Sequence, residues 1–133
     1  MENSKDLSEG VIFPKGEKII SDYFTGSVWL QTLVASDSII NGSIGNITFE
    51  PGARNNWHKH SVGQILLVTG GKGYFQEEGK SRQIIKEGDV IKIQPNVKHW
   101  HGAAPDSWLV HIAISMGDPV WLEPVTDEEY DKK

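Results

Sequence analysis

All five histidines of this 133-residue chain fall in three short runs: His58-Lys59-His60, His99-Trp100-His101 and His111. None lies in the first 57 residues or the last 22. In an extended chain, residues i and i+2 point to the same side. Each His-x-His pair therefore aims two imidazoles at one side, an arrangement that suits a metal far better than an apolar interior. Gln64, four positions after His60, adds an amide oxygen. His58, His60, Gln64 and His99 make a candidate four-ligand set for one divalent ion. Neutral imidazole serves zinc, copper, iron, nickel and manganese, and an amide oxygen suits the harder end of that range. The set carries no charge, so a bound ion keeps its full double charge. It would act as a Lewis acid and attract anionic ligands.

Two histidines remain. His101 shares the parity of His99 and faces the same space. It could serve as a fifth ligand, a hydrogen-bond donor behind the ligands, an acid/base group or a hydrogen-bonded wall residue. His111 is the one polar side chain of Leu109-Val110-His111-Ile112-Ala113-Ile114, on the same side as Leu109 and Ala113. It is either a general base, with a pKa tuned by burial and a nearby cation, or a satisfied core histidine. Trp57 and Trp100 each adjoin a candidate ligand and by parity point away from it, so both are expected to pack. Glu50 and Arg54 flank Pro51-Gly52 and are expected to form an ion pair or to anchor the loop. Lys59 and Lys98 are expected to face solvent.

The elements that position these residues read as short strands: Ser27–Val34, Ser43–Phe49, Asn56–His60, Gln64–Thr69, Gly73–Glu77, Arg82–Lys86, Asp89–Ile93 and Trp108–Ser115. Several alternate apolar with polar and are rich in Ile, Val and aromatics. Turn signals separate them, among them Asn41-Gly42, Pro51-Gly52, Gly79, Gly88-Asp89 and Pro95-Asn96. Gly70-Gly71-Lys72-Gly73 lacks the spacing of a phosphate loop and reads as a hairpin turn. Short strands with frequent turns indicate an all-β sandwich or small barrel. Val11–Phe13 is a candidate edge strand. Thr126 with Glu129 three residues on is a capping box that starts a helical turn. Residues 1–10 and Asp131–Lys133 are expected to be loose.

Composition sets the outer bounds. The length fits one domain, residues 1–133, with a core at about 24–122 and a flexible segment at about 1–10. A content of 38% hydrophobic and 23% charged residues fits a globular chain rather than a disordered one. No apolar run approaches the ~20 residues of a membrane span. The first residues lack a hydrophobic signal core, which leads us to expect a cytoplasmic protein with no membrane partner. With no cysteine, disulfides and thiolate ligands are excluded. A net charge of −5 without a basic stripe argues against nucleic acid.

The motif Gly52-x5-His58-x-His60-x3-Gln64-x6-Gly71 resembles the first cupin motif, with Gln where many cupins have Glu. Gly88-Asp89-Val90-Ile91-Lys92-Ile93-Gln94-Pro95-Asn96-Val97-Lys98-His99 is similar to the second. It departs at Gln94, where Pro is common, and at Asn96, where Gly is common; Ala103 stands where some cupins have Asn. Asn tolerates the positive φ that such a turn needs. From Phe24 to Tyr130 the chain further resembles small bacterial cupins. Some of these are manganese-dependent hydroxynitrile lyases, and related cupin domains occur beside carboxymuconolactone decarboxylase-like domains.

The resemblance implies a cupin-type jelly-roll β-barrel with the ion at its mouth. That ion would be manganese, with iron, zinc or nickel as alternatives. It also implies a small-molecule substrate, a homodimer, and His111 as catalytic base with His101 assisting. Three functions are carried forward: a hydroxynitrile lyase-like carbon–carbon lyase, another cupin enzyme such as a dioxygenase or isomerase, and a non-catalytic small-molecule-binding cupin.

Overall fold

Alternation between buried and exposed side chains organises the chain into strands. In the computed structural model, which describes residues 5–132, they occur in the order β1 (Glu17–Lys18), β2 (Phe24–Thr25), β3 (Val28–Val34), β4 (Gly42–Phe49), β5 (Arg54–Asn55) and β6 (His58–His60). The order continues with β7 (Gly63–Glu77), β8 (Gln83–Lys86), β9 (Val90–Ile93), β10 (His99–Ala103), β11 (Leu109–Met116) and β12 (Pro119–Trp121), and closes on one short helix, α1 (Asp127–Asp131). Every strand pairing is antiparallel. The main path runs β1-β3-β4-β11-β7-β10-β5-β2, and β6 bridges β10 to β12. This is the curled, all-β architecture that the sequence predicts.

The long strand β7 departs from expectation. Gly70-Gly71 does not reverse the chain. The strand runs on from Gly63 to Glu77, and its first half pairs with β9 while its second half pairs with β8 and β10. Its register against β11 slips between Val110 and His111. Gly71 has φ +79°, and a Cβ there would lie 1.8 Å from the Trp108 carbonyl oxygen. The glycine thus lets the strand kink and pass from one layer to the other, as a bulge does, without turning back.

Two apolar clusters fix the strands. Phe49, Leu66, Val68, Phe75, Ile93 and Leu109 belong to the inner one. Trp57, Trp100, Val125 and Tyr130 form an outer one, so both tryptophans turn away from the neighbouring histidines as parity requires. Trp100 donates from Nε1 to Gln76 Oε1 at 3.0 Å. The helix rests on this outer cluster. Its capping box forms as read, with Thr126 Oγ1 accepting from Glu129 N at 3.1 Å and Glu129 Oε1 accepting from Thr126 N at 3.0 Å. Tyr130 donates its hydroxyl to the carbonyl of Ala103 at the end of β10.

Arg54 and Glu50 each anchor a loop, though not each other. Arg54 donates from Nη2 to Val125 O at 2.9 Å and meets Asp127 Oδ1 at 2.7 Å, whereas Glu50 Oε2 accepts from Ser27 N at 2.7 Å. Lys98 is tied to Glu78 and Glu123 rather than free in solvent. Val11–Phe13 is bent, not a strand, with Ile12 at φ +65° and Phe13 N bonded to Val11 O. Of the segment at 1–10, residues 1–4 lie outside the described residues, and the rest holds a turn closed by Gly10 N and Leu7 O at 2.9 Å. Among the described residues no helix is long and apolar enough to cross a membrane.

Candidate metal centre

Pairing of β6 with β10 brings His58 and His99 opposite each other in register. Both are buried, and both are oriented by the backbone. His58 Nδ1 lies 2.8 Å from Asn56 O, and His99 Nδ1 lies 2.9 Å from Val97 O. A Nδ1–H donated to each carbonyl leaves Nε2 as the nitrogen with a free lone pair. Nitrogens of His58, His60 and His99 lie within 4.8 Å of one another. The turn before His99 has Asn96 at φ +61°, the left-handed backbone that asparagine tolerates.

His60 is buried, and among the described residues neither of its ring nitrogens has a hydrogen-bond partner. An unsatisfied buried polar group costs about 1–3 kcal/mol. Gln64 sets a second such problem. Its Oε1 sits 3.0 Å from His99 Nε2, while its own Nε2 donates to Ser115 Oγ at 2.9 Å. With the Nδ1–H of His99 committed to Val97, two lone pairs face each other across that gap. A proton or a cation between them, or a flipped amide, reconciles the contact. Three convergent imidazoles, one of them unpartnered, and an inward amide oxygen fit a divalent ion.

Burial also keeps these rings neutral, the form a metal requires. It pushes the His99 pKa down to about 4 and lowers that of His60. His58 is held well below the usual histidine range by burial and by the adjacent His99.

The cluster opens onto a cavity of about 320 Å³. Ile19, Phe24, Leu30, Ile47 and Trp121 form its apolar wall, and Gly45, Ala113, Ser115 and Gly117 a floor of small residues. Among the described residues, no carboxylate, lysine or arginine lines it. A site of this kind suits a small, mainly apolar molecule with a few polar atoms placed near the histidines.

His101 also lines the cavity, beside Asn55. Asn55 Oδ1 accepts from His101 N at 3.0 Å, and Asn55 Nδ2 lies 3.3 Å from both nitrogens of the His101 ring. His111 is fully buried and is absent from the lining, one layer behind His101. Its Nε2 lies 3.0 Å from His101 Nδ1. Burial pushes the His111 pKa down to about 4.

The structure therefore gathers all six residues singled out from sequence into one connected cluster, with His111 at its rear. Asn55, Ser115 and Trp121 escaped the sequence reading. Parity with His111 and Ala113 was the available signal for Ser115. Trp121 comes in through the β6–β12 pairing, opposite His58, and its ring lies 4.8 Å from the His58 ring.

A curled antiparallel barrel with a histidine cluster at its mouth defines a class, and comparison agrees. Residues 45–114 match the family model described as "Cupin domain". The chain belongs to the cupin family. It is 45% identical over 114 residues to the (R)-mandelonitrile lyase of Granulicella tundricola, covering 83% of this chain and 87% of that one. A crystal structure of a cupin-like protein from Thermotoga maritima superposes with a TM-score of 0.87 at 54% identity, covering 90% of this chain and 93% of that one. A DMSP lyase from Ruegeria pomeroyi shares the fold alone, with a TM-score of 0.63 at 16% identity over 84% of this chain and 64% of that one.

Proposed function

We propose that this chain is a metal-dependent carbon–carbon lyase of the hydroxynitrile lyase kind, acting on a small, mainly apolar molecule as a homodimer. The observation that carries the reading is one apolar-walled cavity lined by His58, His60, Gln64 and His101, with His99 completing the uncharged cluster and His111 behind His101. The (R)-mandelonitrile lyase relative supports it. His58, His60, Gln64 and His99 would hold the ion, with manganese first and iron, zinc or nickel as alternatives. When bound, the ion supplies Lewis acidity toward an oxygen or nitrogen and stabilises negative charge.

The chain's own residues do the rest. The apolar wall of Phe24, Ile47 and Trp121 takes the hydrocarbon part of a cyanohydrin and excludes water. His101 accepts the hydroxyl proton. The carbonyl forms, the bond to the nitrile carbon breaks, and its electron pair leaves with cyanide. The proton then passes to cyanide, so that aldehyde and hydrogen cyanide are released. His101 takes the substrate-facing role because it lines the cavity and His111 does not. His111 orients His101 through the Nε2–Nδ1 contact.

The test is metal analysis of protein purified without chelator, together with mandelonitrile cleavage after manganese loading. Stoichiometric metal with cleavage that is lost in His101→Ala is the expected result. Stoichiometric metal without cleavage would overturn the lyase reading.

A further inference from the structure

Gln64 is the one member of the ligand set whose two ends have opposite character. Its carbonyl oxygen attracts a cation, and its NH2 group repels one. Nothing covalent decides which end faces the histidines, so a neighbour must.

The register of β7 against β11 sets Gln64 directly opposite Ser115, and both side chains line the cavity. Ser115 Oγ accepts from Gln64 Nε2 at 2.9 Å while Gln64 Oε1 lies 3.0 Å from His99 Nε2. A flipped amide would donate to His99 Nε2 and accept from the Ser115 hydroxyl, because a hydroxyl can donate or accept. That alternative satisfies the protein's own hydrogen bonds and turns an NH2 group toward the site of the ion. The sense seen here leaves the hydroxyl proton of Ser115 unused by Gln64.

We propose that Ser115 is a positioning residue for the metal centre, anchoring the NH2 end of Gln64 so that the amide oxygen meets the ion. This inference rests on the metal site proposed above and adds to it a residue from outside the ligand set. With metal, the amide points its oxygen inward and its NH2 to Ser115, and the Ser115 hydroxyl is released to donate to an acceptor atom of whatever small molecule shares the cavity.

The test is calorimetric titration of manganese and zinc into the metal-free protein, comparing wild type with Ser115→Thr and Ser115→Val. The two variants have the same shape, and only threonine keeps the hydroxyl. Outer-sphere partners of metal ligands typically contribute about 10–100-fold in affinity. Ser115→Val should therefore weaken binding by about tenfold or more, and Ser115→Thr should stay near wild type. A carboxylate at position 64 presents oxygen from either end and needs no such anchor. In the Gln64→Glu background, Ser115→Val should then have little effect, a coupling that a merely structural role for Ser115 would not produce. Equal affinities for wild type and Ser115→Val would overturn the inference while leaving the metal site intact. Wild type that takes up neither ion would overturn both. Should Ser115→Val fold poorly, Ser115→Ala carries the same comparison with less bulk.

Discussion

His111 stands directly behind His101, its Nε2 3.0 Å from His101 Nδ1, and only His101 reaches the cavity wall. The two histidines therefore predict unequal losses. A general base in contact with substrate contributes about 10²–10⁴-fold, so His101→Ala should lose turnover on that scale. His111 acts through one hydrogen bond, worth about 1 kcal/mol, so His111→Ala should lose roughly tenfold or less. Both variants should keep stoichiometric metal, since neither belongs to the proposed ligand set. Steady-state kinetics with metal analysis checks this, and the reverse ranking would return the base role to His111.

His111 also predicts how the metal-free protein responds to acid. Its pKa is about 4 in the folded chain because burial disfavours the charged ring, against an ordinary 6.5. The unfolded chain therefore takes up a proton that the folded one refuses. Stability from this group is complete above 6.5 and drains away as pH falls toward 4. The shift corresponds to about 3 kcal/mol. Urea melts at pH 7 and near pH 4.5 should show a steeper acid loss in wild type than in His111→Gln. Parallel losses would mean that His111 titrates normally.

Metal binding should be visible as heat resistance. An ion that binds only the folded state, at a hundred times its Kd, adds about 2.7 kcal/mol, a rise in Tm on the order of 10 °C for a chain of this size. His60→Ala should lose most of that rise. In the metal-free protein it should cost only the packing of the ring, because among the described residues that buried ring has no hydrogen-bond partner. Scanning calorimetry with and without manganese makes the comparison. An unchanged metal-induced shift in His60→Ala would exclude it as a ligand.

The site was more legible than the frame around it, for a physical reason. Side chains on strands obey a period of two, so the pairs His58/His60 and His99/His101 could each be aligned from spacing alone. The tryptophans beside them followed by the same parity, and Trp57 and Trp100 do pack outward. Asn96 at positive φ matched the turn expected before His99. What spacing could not give was depth. Parity placed His101 with His99 and His111 with Leu109 and Ala113, and only the folded sheet puts one behind the other. Short pairings such as β2 with β5 and β12 with β6 were equally invisible, since each is held by long-range contacts rather than by local pattern. The same limit explains the misread glycines. Gly70-Gly71 carries a turn signal in any local window, yet β9, β10 and β11 hold both halves of β7 in one continuous strand.

That misread position yields the last prediction. At Gly71 the backbone has φ +79°, and an added Cβ would fall 1.8 Å from the Trp108 carbonyl oxygen and 3.2 Å from Leu109 Cα. Neither obstacle is a movable side-chain tip, for both are backbone at the start of β11. Relief would require separating β7 from β11 where Leu109 pairs with Gly71, just beside the register slip that leads to His111. Gly71→Ala should thus destabilise the protein by more than about 4 kcal/mol, an exceptional loss that a broken special backbone geometry can produce. Gly79→Ala is the control. It has φ +83° as well, but a Cβ there meets nothing within 4 Å. It should lose only the conformational cost, about 1–2 kcal/mol. Denaturant melts of the two variants separate steric collision from backbone strain, and equal losses would show that the close approach of Gly71 to Trp108 does not hold the two layers together.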